Sequence, residues 1–126
     1  MRLLLDTVIF IWALESPDRI SRKAMALLQN QDTVRELSSI SVSEMAIKTS
    51  IGKLNFTQTD LQTGIADLEL RILPYTGEHA LQLFSLPPHH SDPFDRQLIS
   101  QAIFEDIPIV SCDSKFKLYK NLRTIW

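Results

Sequence analysis

Apolar residues arrive in two rhythms along this chain. Short runs at 2–5, 34–40, 70–73, 107–111 and 124–126 have the length and composition of strands. Between them, apolar residues return every three or four positions: Ala24, Leu27 and Leu28, then Leu61, Ile65 and Leu68, then Ala80, Leu81 and Phe84, and most strongly Leu98, Ile99, Ala102 and Ile103. That spacing puts each set on one helix face. Strands alternating with helices specify βαβ units, right-handed crossovers, and a mostly parallel sheet with helices on both faces. The segment SVSEMAIKTSIGKL is apolar on more than one side, with Val42, Met45 and Ala46 in one group and Ile47, Ile51 and Leu54 beside it. One face of that helix packs on the sheet; the other is either buried within the monomer or offered to a partner.

In parallel α/β sheets the ligand crevice lies beyond the carboxyl ends of the strands. Four acids fall there: Asp6 after LLL, Glu44 after SSISVS, Asp95 in SDPFDR and Asp113 after IVSC. Asp6 and Asp113 directly follow strand runs, while Glu44 and Asp95 fall in the first turns of helices, so all four point to one rim. Crowded carboxylates repel, and either protons or a cation must relieve them. A hard divalent ion such as Mg²⁺ or Mn²⁺ suits an all-oxygen ligand set and keeps waters of its own, which fits phosphodiester hydrolysis.

Each acid also has a purely structural explanation. Ser41 to Glu44 and Asp92 to Asp95 have capping-box spacing, Pro93 suits a first helical position, and Glu44 is one turn from Lys48. Capping suffices for Asp92. It does not require four acids to share one edge of a sheet. His89 and His90, in LPPHHSDP, read as a solvated loop. Cys112 reads as a small buried residue, and Trp12 and Trp126 as packing residues.

The 126 residues, 44% of them hydrophobic, suit one domain spanning 1–126 without a linker or repeat. The apolar opening is interrupted by Asp6 and ended by Glu15, which argues against a membrane span or targeting segment. A lone cysteine excludes an internal disulfide and a zinc-type cysteine cluster and fits the cytoplasm. Three glycines supply no phosphate-cradling loop, which argues against ATPase and dinucleotide chemistry. The net charge of −2 argues against a broad basic surface, although Lys115, Lys117, Lys120 and Arg123 gather positive charge near the end of the chain.

LLLDT, SSISVSEMAIK, DPFDRQLISQA and IVSCDSKF, in that order, resemble the four motifs of the PIN domain, and in particular VapC-type toxins. The resemblance extends over essentially the whole chain. It implies a three-layer α/β/α fold with a central sheet of four to five strands, a Mg²⁺- or Mn²⁺-dependent ribonuclease acting on RNA, a small antitoxin partner and a homodimer. By motif, Asp6, Asp95 and Asp113 would bind the ion directly, and Glu44 would bind it or orient its waters. Thr7 matches a small polar position that supports the site; Asp92, Arg96 and Lys115 are further supporting or substrate-contacting candidates. Many relatives carry another acid two residues beyond the position of Asp113. Lys115 stands there in this chain, which leaves one ion or two as an open choice.

Two other classes compete with the nuclease. A receiver-like signalling domain also gathers acids at strand ends, but RILPYTG offers no phospho-accepting Asp after a middle strand. A catalytically silent PIN-like interaction module has no need of the intact set of four acids.

Overall fold

A computed structural model describes residues 1–126. Its five strands are β1 (Arg2–Leu5), β2 (Val34–Ser38), β3 (Arg71–Leu73), β4 (Ile109–Val110) and β5 (Thr124–Ile125). They form one sheet in the order β3-β2-β1-β4-β5, and every neighbouring pair is parallel. The helices are α1 (Thr7–Glu15), α2 (Arg22–Gln29), α3 (Ser39–Ser50), α4 (Gln58–Asp67), α5 (Gly77–Leu81) and α6 (Pro93–Glu105), with 3-10 turns at Pro17–Arg19, Gln82–Ser85 and Ser114–Leu118.

The two-residue period of a strand sends successive side chains to opposite faces. Leu3, Leu5 and Val110 therefore join Ile9, Phe10, Ala24, Leu28 and Leu61 in one core, built with α1, α2 and α4. Leu4 and Ile109 join Leu98, Ile99, Ala102 and Phe116 in the other, built with α6 and the last 3-10 turn. The result is a three-layer α/β/α fold. On the first face α4 approaches α1 closely at Gly64, where a Cβ would stand 2.5 Å from Leu14 Cδ1. No helix is long and apolar enough to cross a membrane.

Three local expectations differ from the structure. The second strand run stops at Ser38 rather than residue 40, because the Ser38 hydroxyl accepts the Ile40 N–H and starts α3. Ser41 and Glu44 are consequently inside that helix and form no capping box. The Ala80, Leu81 and Phe84 stripe does not face the core: α5 passes into a 3-10 turn at Gln82, which rotates the following side chains, and Leu81 and Phe84 stand 65% and 92% exposed. His79 and Leu86 are buried from this region instead. α3 ends as Gly52 takes a positive φ of 76°, while the Lys53 N–H turns back to the Lys48 carbonyl. Such a left-handed helix end favours glycine.

At the amino-terminal edge, Arg2 donates to both carboxylate oxygens of Glu36 and to Glu105 Oε1, while His79 Nε2 meets Glu105 Oε2 at 3.0 Å. Glu36 is almost fully buried, and Arg2 is the cation paired with it. Arg2→Met is predicted to destabilise the protein by about 3 kcal/mol, because it strands a buried carboxylate. Adding Glu36→Gln should recover much of that loss in urea unfolding; simple additivity of the two changes would contradict the pairing.

Candidate metal centre

The central position of β1, between β2 and β4, brings the ends of these strands and the adjoining helices into one crevice. Asp6 is the residue between β1 and α1, and its extended backbone lets it act as the helix N-cap without using its side chain as a cap. Its Oδ2 instead accepts the Ser111 hydroxyl at 2.8 Å, across 105 positions of sequence. Ser111 in turn accepts the Asp113 N–H at 3.1 Å. One hydroxyl thus ties the acid after β1 to the acid after β4.

Glu44 enters the crevice from the second turn of α3. Thr7 Oγ1 lies 2.8 Å from Glu44 Oε1 and 2.8 Å from Ser41 Oγ. A carboxylate only accepts, so the single Thr7 proton goes to Glu44 and Ser41 donates to Thr7. Lys48 Nζ holds the other Glu44 oxygen and lies 5.9 Å from the centre of the Phe94 ring. The Glu44 partner raises the Lys48 ammonium pKa above its ordinary value.

Asp95 comes from the first turn of α6, whose start is capped by Asp92: its Oδ1 accepts the Phe94 and Asp95 N–H groups. Asp113 precedes the last 3-10 turn, and its Oδ1 accepts the Lys115 N–H at 2.9 Å. The cluster deepens from mouth to floor. The Asp113 and Asp95 side chains are 34% and 20% exposed, whereas Asp6 and Glu44 are 5% and 6% exposed as residues.

The electrostatics are those of a site short of positive charge. Burial pushes the Asp6 carboxyl up to about 6, and Glu44 and Asp113 add to the effect against the opposing hydrogen bond from Ser111. Burial also pushes Asp95 up to about 8, reinforced by Asp6, Asp92, Glu44 and Asp113. These mutual influences bring the four sequence-selected acids into one electrostatic unit. For Asp113, burial works upward but is outweighed by the Lys115 N–H and His90, which leave the carboxyl below its ordinary value. Four carboxylates with two of them reluctant to ionise fit a hard cation by charge and by donor type.

His90 is the residue that sequence reasoning missed. It is 7% exposed, and its Nε2 lies 2.8 Å from Asp113 Oδ2 and 3.1 Å from Asp95 Oδ2. His90, Asp95 and Asp113 offer ligand-type atoms within 4.8 Å of one another. His89 is exposed, with its ring edge on Tyr119. Cys112 is exposed rather than buried, since the alternation after β4 turns Ser111 inward. Trp12 and Trp126 pair at 6.0 Å in the first core's margin.

Among the remaining candidates, Arg96 spends its guanidinium on the Leu86, Pro87 and His90 carbonyls, which fixes the loop before α6. Lys115 is exposed beside Asp113. Lys117 and Lys120 are exposed as well, while Arg123 is engaged with Asp106.

The fold recurs in solved structures. The chain is similar to one in VapBC2 of Rickettsia felis bound to a promoter DNA fragment, with a TM-score of 0.71, 20% identity, and coverage of 98% of this chain and 97% of that one. DNA-bound VapBC of Salmonella typhimurium gives 0.67 at 16% identity, covering 98% and 96%. FitAcB of Neisseria gonorrhoeae gives 0.67 at 18%, covering 97% and 95%. No curated protein matches the chain in sequence. The sequence model of the PIN domain matches residues 3–122. The chain, with its parallel sheet and the acids at its carboxyl edge, therefore belongs to the PIN-domain family.

Proposed function

We propose that this chain is a divalent-metal-dependent endoribonuclease and the toxin of a toxin–antitoxin pair. The observation that carries the reading is the convergence of Asp6, Glu44, Asp95 and Asp113 in one crevice, with Asp6 and Asp95 raised to about 6 and about 8. Asp6, Asp95 and Asp113 would hold Mg²⁺ or Mn²⁺, and Glu44 would join them or orient water. When bound, the ion supplies orientation of the attacking water and offsets the charge that grows on the phosphate.

The chain's own groups prepare that chemistry. Ser111 fixes the direction of Asp6, and Thr7 and Lys48 clamp the two oxygens of Glu44. Rigid support of this kind removes reorganisation from the reaction. The more exposed Asp113 side gives a phosphodiester its approach, with Lys115 beside it to meet the backbone charge.

The partner reading rests on the fold neighbours, among them a member of the VapBC family of toxin–antitoxin systems from Mycobacterium tuberculosis. On this chain it is supported by α3, where Ile47 and Ile51 stand 49% and 60% exposed. Beside them a groove of about 830 Å³ runs between α3 and α4, lined by Val42, Ala46, Phe56, Leu61 and Ile65. We assign this surface near residues 42–54 to the antitoxin and to homodimer formation. A basic antitoxin side chain reaching the acid rim would inhibit by opposing the carboxylates. The proposed setting is the cytoplasm, where the single Cys112 stays reduced.

Asp6→Asn, Asp95→Asn and Asp113→Asn should each lower Mg²⁺-dependent cleavage of RNA by more than about 100-fold, or about 2.7 kcal/mol of barrier, while the fold persists. Asp92→Asn should be mild, since Asn also caps helices. Wild-type cleavage by purified Asp95→Asn would remove that acid from the mechanism.

The raised carboxyls fix the sign of a second result. Because Asp6 and Asp95 have folded values near 6 and 8, above the ordinary value near 4, the folded state holds their protons more tightly. Their contribution to stability is present below about pH 4 and is lost as pH rises toward about 8. Thermal unfolding without metal should therefore show Asp95→Asn gaining on the parent as pH rises from 5 to 8, with added Mg²⁺ restoring the parent. A parent advantage that grows with pH in EDTA contradicts the assignment.

Replacing Ile47 and Ile51 with serine should leave the monomer folded, because both are already exposed, yet weaken antitoxin binding or dimerisation by about 1–3 kcal/mol. Calorimetry and light scattering read both. Unchanged values for a folded variant would move the partner surface elsewhere.

A further inference from the structure

His90 has both ring nitrogens engaged, and together they determine where its proton lies. Nδ1 accepts the Asp92 N–H at 3.1 Å, so that nitrogen carries no hydrogen and a neutral ring carries its proton on Nε2. Nε2 points between Asp113 Oδ2, at 2.8 Å, and Asp95 Oδ2, at 3.1 Å. The ring is fixed from other sides as well. The His90 N–H donates to the Tyr119 hydroxyl at 2.9 Å, its carbonyl accepts from Arg96, and the ring stands edge-on to Phe116 at 5.6 Å.

This geometry separates two roles that a histidine beside acids can take. To ligate an ion, Nε2 must give up its proton and Nδ1 must take one on. That proton would then face the Asp92 N–H, donor against donor, in a loop held by Tyr119 and Arg96. As a donor, by contrast, Nε2–H leaves free acceptor positions on both carboxylates, since each oxygen has more than one lone pair.

We propose that His90 is the positioning residue of the acid cluster: its Nε2–H, oriented by the Asp92 N–H, holds the Asp95 and Asp113 carboxylates at the spacing a divalent ion requires without becoming a ligand. The inference rests on the metal-dependent reading above. Hydrogen bonds to ligating groups tune metal affinity by about 10- to 100-fold in general. Here one ring supplies them to acids from two different elements, the start of α6 and the segment after β4.

The test combines Mg²⁺ calorimetry with ¹⁵N NMR of the imidazole in the intact protein. The tautomer is read before and after Mg²⁺, and folding of each variant is checked by circular dichroism. Expected are an Nε2–H ring in both states, Mg²⁺ binding weakened by about 10- to 100-fold in His90→Ala, and substantial recovery in His90→Gln, whose amide N–H has a similar reach. A shift to the Nδ1–H tautomer on adding Mg²⁺ makes His90 a ligand and overturns the proposal. Equal or tighter Mg²⁺ binding by folded His90→Ala overturns it while leaving the metal reading intact. A parent that binds no divalent ion overturns the metal reading itself, and the spacing role with it. Should His90→Ala not fold, the parent's tautomer with Mg²⁺ and the affinity of His90→Gln still decide the question.

Discussion

Repulsion among carboxylates at the end of a parallel sheet governs this molecule, because the backbone topology forces the acids together and the side chains around them have to keep them there. Asp6 and Asp113 follow adjacent strands, and Glu44 and Asp95 enter from α3 and α6. Left alone such a group would spread or take up protons, as the elevated Asp6 and Asp95 carboxyls indicate. Nearly every polar residue nearby counters that tendency. Ser111, Thr7, Lys48 and His90 each donate to one or two of the acids.

The supporting groups differ in kind, which affects how the site responds to an ion. Lys48 brings a full charge, and it is paired with Glu44. Ser111 and Thr7 bring only dipoles, and the His90 ring directs one N–H at two of the acids. The two hydroxyls orient carboxylates without cancelling their charge, so the crevice is short of positive charge and well ordered at once. A cation entering such a site finds its oxygen donors already aimed, and little reorganisation is required. The same arrangement leaves metal-free protein carrying electrostatic strain at neutral pH.

Much of this was legible in the sequence, for reasons that differ between elements. The apolar run in RLLL and the stripe Leu98, Ile99, Ala102 and Ile103 identified β1 and α6 because β1 is the central strand, covered on both faces, and α6 packs on it. The convergence of the acids followed from topology alone: parallel strands put their carboxyl ends on one edge. Other features depended on contacts that no local pattern carries. Ser38 and Ser41 are equally plausible caps by composition, and only the position of Thr7 draws Ser41 into the site. His90 looked like loop because its neighbours are prolines and polar residues; its burial comes from Tyr119 and Phe116, far along the chain. Two histidines in sequence with an Asp-Pro helix start was the available signal. Phe84 misled in the opposite direction, since a helical stripe means burial only if the helix continues.

On the proposed reading these acids form one cation site rather than a set of separately capped helices. Crystals soaked in Mn²⁺ and measured for anomalous scattering test it most directly. A strong peak is expected between Asp6, Asp95 and Asp113, with Glu44 at or near its coordination shell. Ordered side chains in this crevice with no peak among them, or a peak confined to other acids on the surface, would contradict it.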